Sequence, residues 1–243
     1  MPTAPFRLNP TLDRRAIRDA YRRDGRVRIH DLLADEGALT LRNWLKRREE
    51  WRQILNSGDK VYELDRATRD GLSEAQRRTL DEAVMAGVRA GFQYRYESIR
   101  VPDGTAARLA ADDPLSAFAA WLSGAEALDF LREVTGHADT VFTDAQATAY
   151  APGDLLTAHD DAVAGKDRRA AYVLGLNPEW RAEWGGLLLF HDGADRVTGM
   201  VPAFNTLDLL SVPQAHSVSM VTRAAPSRRY SITGWLRAQR QPD

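Results

Sequence analysis

From Val141 onward the hydrophobic pattern changes period, and that switch constrains the fold more than any other feature of the chain. Before it, apolar residues recur at helical spacing: Leu12, Ala16, Ile17 and Ala20, then Ala38, Leu41, Trp44 and Leu45 behind a candidate cap at Asp35, then Leu80, Val84, Val88 and Phe92. A fourth helix is predicted over 115–134, with Phe118, Trp121, Leu122, Leu128 and Leu131 on its apolar side. Gly25 stops the first helix, and residues 26–30 alternate as a short strand. Residues 102–113, charged and rich in Ala and Asp, read as a surface loop. After the switch, 141–150 alternates, and short apolar runs of strand length follow at 170–176, 187–190, 207–212, 216–221 and 230–236. Turn signals divide them, among them Pro152-Gly153-Asp154, Gly185-Gly186 and Asp192-Gly193. Helices first and closely spaced strands second predict an α+β chain in which helices brace one face of a β-sandwich or barrel.

Composition narrows the chemistry. The 243 residues, 44% of them apolar, suffice for one large domain, with 1–135 as mainly helical support and 136–243 as the core. Lys and Arg number 33 against 34 Asp and Glu, a net charge of -1, so no nucleic-acid partner is expected. There is no cysteine, which excludes disulfides, thiolate metal sites and a cysteine nucleophile. Any metal must be held by histidine and carboxylate. No apolar run approaches the ~20 residues of a membrane span, so no membrane partner is expected. The opening residues lack the apolar stretch of a secretory leader, so a cytoplasmic protein is expected. The oligomeric state is not legible.

Five histidines are available, and two begin an H-x-D triplet: His137-Ala138-Asp139 and His159-Asp160-Asp161. His137 follows Gly136 at a helix end, a common structural position. His159 follows a strand, a turn and Leu155-Leu156. If 155–161 is extended, His159 and Asp161 point to one face and Asp160 to the other. His216, in a strand-like stretch, is the candidate third ligand. Two histidines and one carboxylate leave three open positions on an octahedral metal, the arrangement of Fe(II) oxygenases. Spacing alone also allows unrelated histidines in loops. Downstream, if 229–235 is a strand, Arg229, Ser231 and Thr233 share a face. An inward arginine there requires an anionic ligand, whereas Arg228 reads as a surface charge.

The region from about Thr148 to Trp235 resembles the prolyl-4-hydroxylase-like 2-oxoglutarate/Fe(II)-dependent dioxygenases, in particular the branch of ribosomal-protein prolyl hydroxylases and their bacterial relatives. The resemblance rests on Tyr150-x-x-Gly153-Asp154-Leu155-Leu156-x-x-His159-Asp160-Asp161, Ala171-Tyr172-Val173-Leu174 with Leu176-Asn177, Trp184-Gly185-Gly186-x-Leu188 and Pro202-x-x-Asn205. It closes with His216-x-Val218-x-x-Val221 and Arg229-x-Ser231-Ile232-x-Gly234-Trp235. The N-terminal half is similar more loosely, through Gly25-Arg26-Val27, the following Leu-rich helix and Trp51.

The resemblance implies a double-stranded β-helix (jelly-roll) core braced by N-terminal helices. It implies Fe(II) on His159, Asp161 and His216, with 2-oxoglutarate as co-substrate and O2 as oxidant. The far carboxylate of 2-oxoglutarate would lie on Arg229, helped by Tyr150 and, more weakly, Ser231. Asn205 and Trp235 are implied as pocket-lining at most. The implied reaction hydroxylates an unactivated C–H with release of succinate and CO2, on a prolyl residue of a protein or peptide, or else on a free amino acid or small metabolite. Arg95, Tyr96 and Arg100 lie near a possible strand flanking the site, where surface or packing roles are expected. Two other classes stand against this reading. A metal-dependent isomerase, or an oxygenase without 2-oxoglutarate, has no use for the Arg-x-Ser strand; a non-catalytic jelly-roll module has no use for three intact ligands.

Overall fold

In a computed structural model, which describes residues 6–239, helix α1 (Arg14–Asp24) has both ends written in its sequence. The Asp13 side chain accepts from the Ala16 amide, and Gly25 closes the helix at φ +66°. Residues 1–5, part of the stretch read above for a leader, lie outside the described residues. The chain continues through β1 (Arg26–Ile29), α2 (Gly37–Arg47), β2 (Arg52–Ser57), β3 (Lys60–Asp65), α3 (Arg66–Asp70), α4 (Glu74–Ala90) and β4 (Tyr94–Arg100). Three helices follow: α5 (Thr105–Ala110), α6 (Pro114–Leu122) and α7 (Ala125–Thr135). The rest is sheet: β5 (Phe142–Thr143), β6 (Gln146–Tyr150), β7 (Leu155–His159), β8 (Arg168–Leu176), β9 (Leu188–His191), β10 (Val197–Met200), β11 (Phe204–Ser211), β12 (His216–Val218) and β13 (Arg229–Arg237).

The strands pair antiparallel in the order β1-β11-β8-β13-β6-β4-β7-β12-β9-β10, with β2 and β3 extending from β4 and β5 pairing β13. This sheet curls into a jelly-roll until its two ends face each other. Arg26 of β1 forms a bidentate pair with Asp192, just beyond β9, at 2.7 and 3.0 Å, and lies over the Phe190 ring. Period-two alternation sorts the two faces. Ala170, Tyr172, Leu174 and Leu176 of β8 and Ile232 and Leu236 of β13 join the helices in the main core, which runs from Phe6 to Leu236. Arg229, Ser231, Thr233 and Trp235 alternate with them. Ala171, Leu188, Phe190 and Leu210 pack separately, as do Tyr150, Val218 and Val221. Among the described residues no helix is long and apolar enough to cross a membrane.

Several local expectations need correction. Asp35 does not cap α2; it sits at φ +52° and pairs with Arg7 at 2.7 Å, while Glu36 takes the cap position without a side-chain bond. The helix expected over 115–134 is two helices, separated at Ser123-Gly124. The loop expected over 102–113 contains α5, because Arg108 is buried there, donating to the carbonyls of Pro102, Ala119 and Thr143. Phe92 lies beyond the end of α4.

Candidate metal centre

His159 ends β7 and His216 begins β12, and the two residues are register partners. Their ring centroids are 4.1 Å apart. Asp161 bridges them, with Oδ1 3.5 Å from His159 Nε2 and Oδ2 3.5 Å from His216 Nε2. One ligand atom from each of the three lies within 4.8 Å of the others, the one such histidine–carboxylate group among the described residues. Each imidazole is oriented by its other nitrogen: Nδ1–H of His159 donates to the Thr157 carbonyl at 3.0 Å, and Nδ1–H of His216 to that of Gln214 at 2.8 Å. Those bonds leave both Nε2 lone pairs aimed at Asp161. Burial and the neighbouring His159 hold His216 below the usual imidazole value, so its neutral, ligating form is favoured.

The three residues converge by a different route from the one expected. β7 stops at His159, and Asp161 is reached through a turn in which it adopts φ +63°. Such a backbone is costly for a residue with a side chain unless its surroundings hold it. Here Arg168 donates from Nη1 to the Asp161 carbonyl at 3.0 Å. Arg168 itself stands over the Trp235 ring, its Cζ 3.6 Å from the ring centroid. Asp160 is exposed and takes only the Ala162 amide. His137 and His30 lie outside the group, and His191 bonds Ser217.

Arg229 shares the cavity with the triad, a space of about 350 Å³. It is buried, its guanidinium stands over the Tyr150 ring at 5.1 Å, and its Nη1 donates to Ser231 Oγ at 3.3 Å. Ser231 Oγ is also 2.8 Å from Thr148 Oγ1. No carboxylate among the described residues comes within 4.0 Å of Arg229, and its Nε has no partner. Burial lowers its pKa from the ordinary guanidinium value, the mark of a cation short of its counter-ion. Burial also raises the Tyr150 phenol, keeping it a protonated donor. Gly186, at φ +64°, makes room for this arginine: a Cβ there would stand 3.0 Å from Arg229 Cδ.

Arg228 is not the free surface charge expected; its Nε lies 3.0 Å from the buried Glu97 carboxylate. Asn205 does not line the cavity but clamps Leu33, accepting from its amide at 3.0 Å and donating to its carbonyl at 2.9 Å. Trp235, by contrast, does line it. Sequence reasoning missed Arg168, because an Arg-Arg pair at a strand start reads as solvated, and undervalued β4, which brings Tyr94 and Tyr96 to the cavity wall. A larger cavity, about 530 Å³, lies between β1 and the β9–β10 hairpin. Its principal charges are already paired, Arg26 with Asp192 and Arg28 with Asp208. The metal-type donor set is absent there, so the smaller cavity carries the chemistry.

Two neutral imidazoles and a carboxylate fit a divalent first-row metal with open positions, and the unpaired Arg229 fits the carboxylate of a second ligand in the same cavity. Residues 145–237 match the 2OG-Fe(II) oxygenase superfamily, which takes Fe(II), 2-oxoglutarate and O2. Mouse prolyl 3-hydroxylase OGFOD1 is 32% identical over 127 residues, 49% of this chain and 21% of the mouse protein. The chain therefore spans about a fifth of that relative's length. Among solved structures, a Pseudomonas putida prolyl-4-hydroxylase is similar with a TM-score of 0.59 and 18% identity, covering 92% of this chain and 98% of that one. A Trichoplax adhaerens prolyl hydroxylase in complex with a hypoxia inducible factor peptide fragment has a TM-score of 0.60 and 14% identity, covering 91% of this chain and 87% of that one.

Proposed function

We propose that this chain, whose residues 145–237 match the 2OG-Fe(II) oxygenase superfamily, is a prolyl hydroxylase-like oxygenase that hydroxylates a prolyl residue within a protein or peptide. Bound Fe(II) and 2-oxoglutarate supply the oxidising chemistry, using O2 and releasing succinate and CO2. His159, Asp161 and His216 are the residues to hold the metal. Arg229 is the residue to anchor the far carboxylate of 2-oxoglutarate, with the Tyr150 hydroxyl and Ser231 beside it. The observation that carries this reading is a buried guanidinium with no acid partner in the same cavity as the triad. It also counts against a jelly-roll isomerase or a non-catalytic module, neither of which needs an anion there.

The protein's own groups then orient and exclude. Arg168 holds the turn at Asp161, and Leu188, Leu210 and Val218 give the cavity apolar walls that limit water. The choice of a peptide-bound residue rests on charge. Asp161 is the one carboxylate among the lining residues, and Arg168 and Arg229 are the only Arg or Lys side chains. A free amino acid would bring an ammonium and a carboxylate into a site with no acid to spare, an expensive burial. A residue inside a chain brings neither. A cytoplasmic setting and one catalytic unit belong to the same reading, the latter supported by a core shared between both halves of the chain.

The test is succinate release from 2-oxoglutarate with Fe(II) and O2, together with the mass of the peptide. A proline-containing peptide should gain one oxygen while free proline gains none. Turnover on free proline with no gain on peptides would overturn the assignment of substrate.

A further inference from the structure

Beside the catalytic cavity lies a buried ion pair that the oxygenase chemistry does not use. Asp208 of β11 and Arg28 of β1 are register partners. Arg28 holds both carboxylate oxygens, donating from Nε to Oδ1 at 2.7 Å and from Nη2 to Oδ2 at 2.8 Å. Its Nη1 donates to the Val201 carbonyl at 2.8 Å, so every nitrogen of the guanidinium is engaged. The Asp208 side chain is only 8% exposed.

Sheet register carries this pair toward Arg229. Asp208 is opposite Val173 of β8, and Val173 is opposite Thr233 of β13. Arg28, Asp208, Val173 and Thr233 therefore form one rung across four strands, and residues opposite one another on a rung share a face. Val173 and Thr233 line the catalytic cavity. Adjacent strands stand ~4.8 Å apart, so the Asp208 and Thr233 backbones are about 10 Å apart. Arg229 leans along β13 toward that rung, since its Nη1 donates to Ser231 Oγ at 3.3 Å. Asp208 and Arg28 line the larger cavity and Arg229 the smaller, so the wall between the two divides them. Asp208 and Arg229 are both buried, where charges are weakly screened. Burial lowers the Arg229 pKa; Tyr150 and then Asp208 oppose that fall, and Arg28 adds to it. Asp208 is thus the carboxylate with the most influence on Arg229, and Arg28 offsets it.

We infer that Arg28 is a positioning residue of the co-substrate site: it fixes the Asp208 carboxylate on β1 and cancels its charge, which leaves the Arg229 guanidinium uncompensated for the far carboxylate of 2-oxoglutarate. This rests on the role proposed above for Arg229. A bare acid at 208 would offset part of the charge that Arg229 offers an incoming anion. The planar fork of an arginine prevents this by taking both oxygens at once. A pair that merely clips β1 to β11 has a different consequence, because removing either member would then loosen the same sheet edge.

The probe is 2-oxoglutarate, titrated into Fe(II)-loaded protein under nitrogen and followed by the visible band of the complex. Working at about pH 8, far above the ordinary carboxylate value of ~3.9, keeps an unpaired Asp208 ionised. Arg28→Met should weaken binding about tenfold. Asp208→Asn, which leaves the arginine charge, should tighten it about threefold. The double variant closes the cycle and should return to within about threefold of wild type. Fe(II) affinity, measured by equilibrium dialysis, should stay within about twofold throughout. 2-Oxovalerate, which keeps the chelating end but lacks the far carboxylate, should bind all four proteins alike. A double variant as weak as Arg28→Met, or an Asp208→Asn weaker than wild type, overturns the inference and leaves the oxygenase reading standing. A wild type that forms no band overturns that reading and the inference together.

Discussion

His159 and His216 face each other across a single rung of the β7–β12 ladder, and Asp161 spans the pair. Their placement is therefore a property of sheet register: a one-residue slip would turn either imidazole to the opposite face. From this relationship the two neighbouring aspartates should behave differently. Asp161→Ala should weaken Fe(II) binding by more than about 100-fold, beyond what loss of an outer contact costs. Asp160→Ala, removing an exposed carboxylate that takes only the Ala162 amide, should leave binding within about threefold. Equilibrium dialysis of Fe(II) under nitrogen measures both, and equal losses would contradict the assignment.

Arg168 should matter to the metal without touching it. Its bond to the Asp161 carbonyl holds a left-handed backbone in place, and its guanidinium stands over Trp235. Arg168→Ala should weaken Fe(II) binding by roughly 10-fold, within the range for residues that orient ligands. Arg168→Lys keeps the charge but not the planar guanidinium and should recover only part of the loss. Full recovery by lysine would mean that charge alone acts here.

Much of this architecture was legible in the residues, and the exceptions have physical causes. β8 and β13 alternate cleanly because one face meets the helical core and the other the cavity, and that alternation turns Arg229 toward the cavity. β4 has no such signature. Its one face carries Tyr94, Tyr96 and Ser98, and its other carries Arg95 and Glu97, which are buried because Asp81 and Asp154 neutralise the first and Arg66, Arg69 and Arg228 the second. β2 hides similarly, since Gln53 and Asn56 are buried polar residues in a core strand. The nearness of His159 and Asp161 was anticipated from extended geometry, yet it comes from a turn, which no periodicity encodes. Arg168 earns its place through one backbone carbonyl and one indole, contacts with no sequence pattern.

The clasp between the sheet ends should give an acid-sensitive contribution to stability. Arg26 and then Thr198 bond the Asp192 carboxylate and hold it well below the ordinary carboxylate range. A carboxyl depressed in the folded state stabilises above its unfolded value of ~3.9 and loses that contribution as pH falls. Wild type should therefore lose stability to urea between about pH 5 and pH 2 more steeply than Asp192→Asn, with the two curves farthest apart near neutrality. Parallel curves across that interval would show that the clasp contributes nothing.

Trp51 links the helical half to the strand that carries Arg229. It is fully buried, lies 5.9 Å from the Tyr230 ring and donates from its indole nitrogen to the Leu45 carbonyl at 3.2 Å. Trp51→Ala should cost about 3–5 kcal/mol in denaturant unfolding, the usual range for emptying a core site of this size. A loss below about 1 kcal/mol would mean that the site collapses to fill the space.

The most direct test of the central claim is a spectroscopic titration of Fe(II)-loaded protein with 2-oxoglutarate under nitrogen, comparing wild type with Arg229→Ala. The wild type should develop a weak visible charge-transfer band that saturates with 2-oxoglutarate. Arg229→Ala should bind Fe(II) as tightly as wild type yet develop no band at the same concentrations. A variant that saturates like the wild type would contradict the claim that the buried guanidinium beside the histidine–aspartate triad anchors the co-substrate.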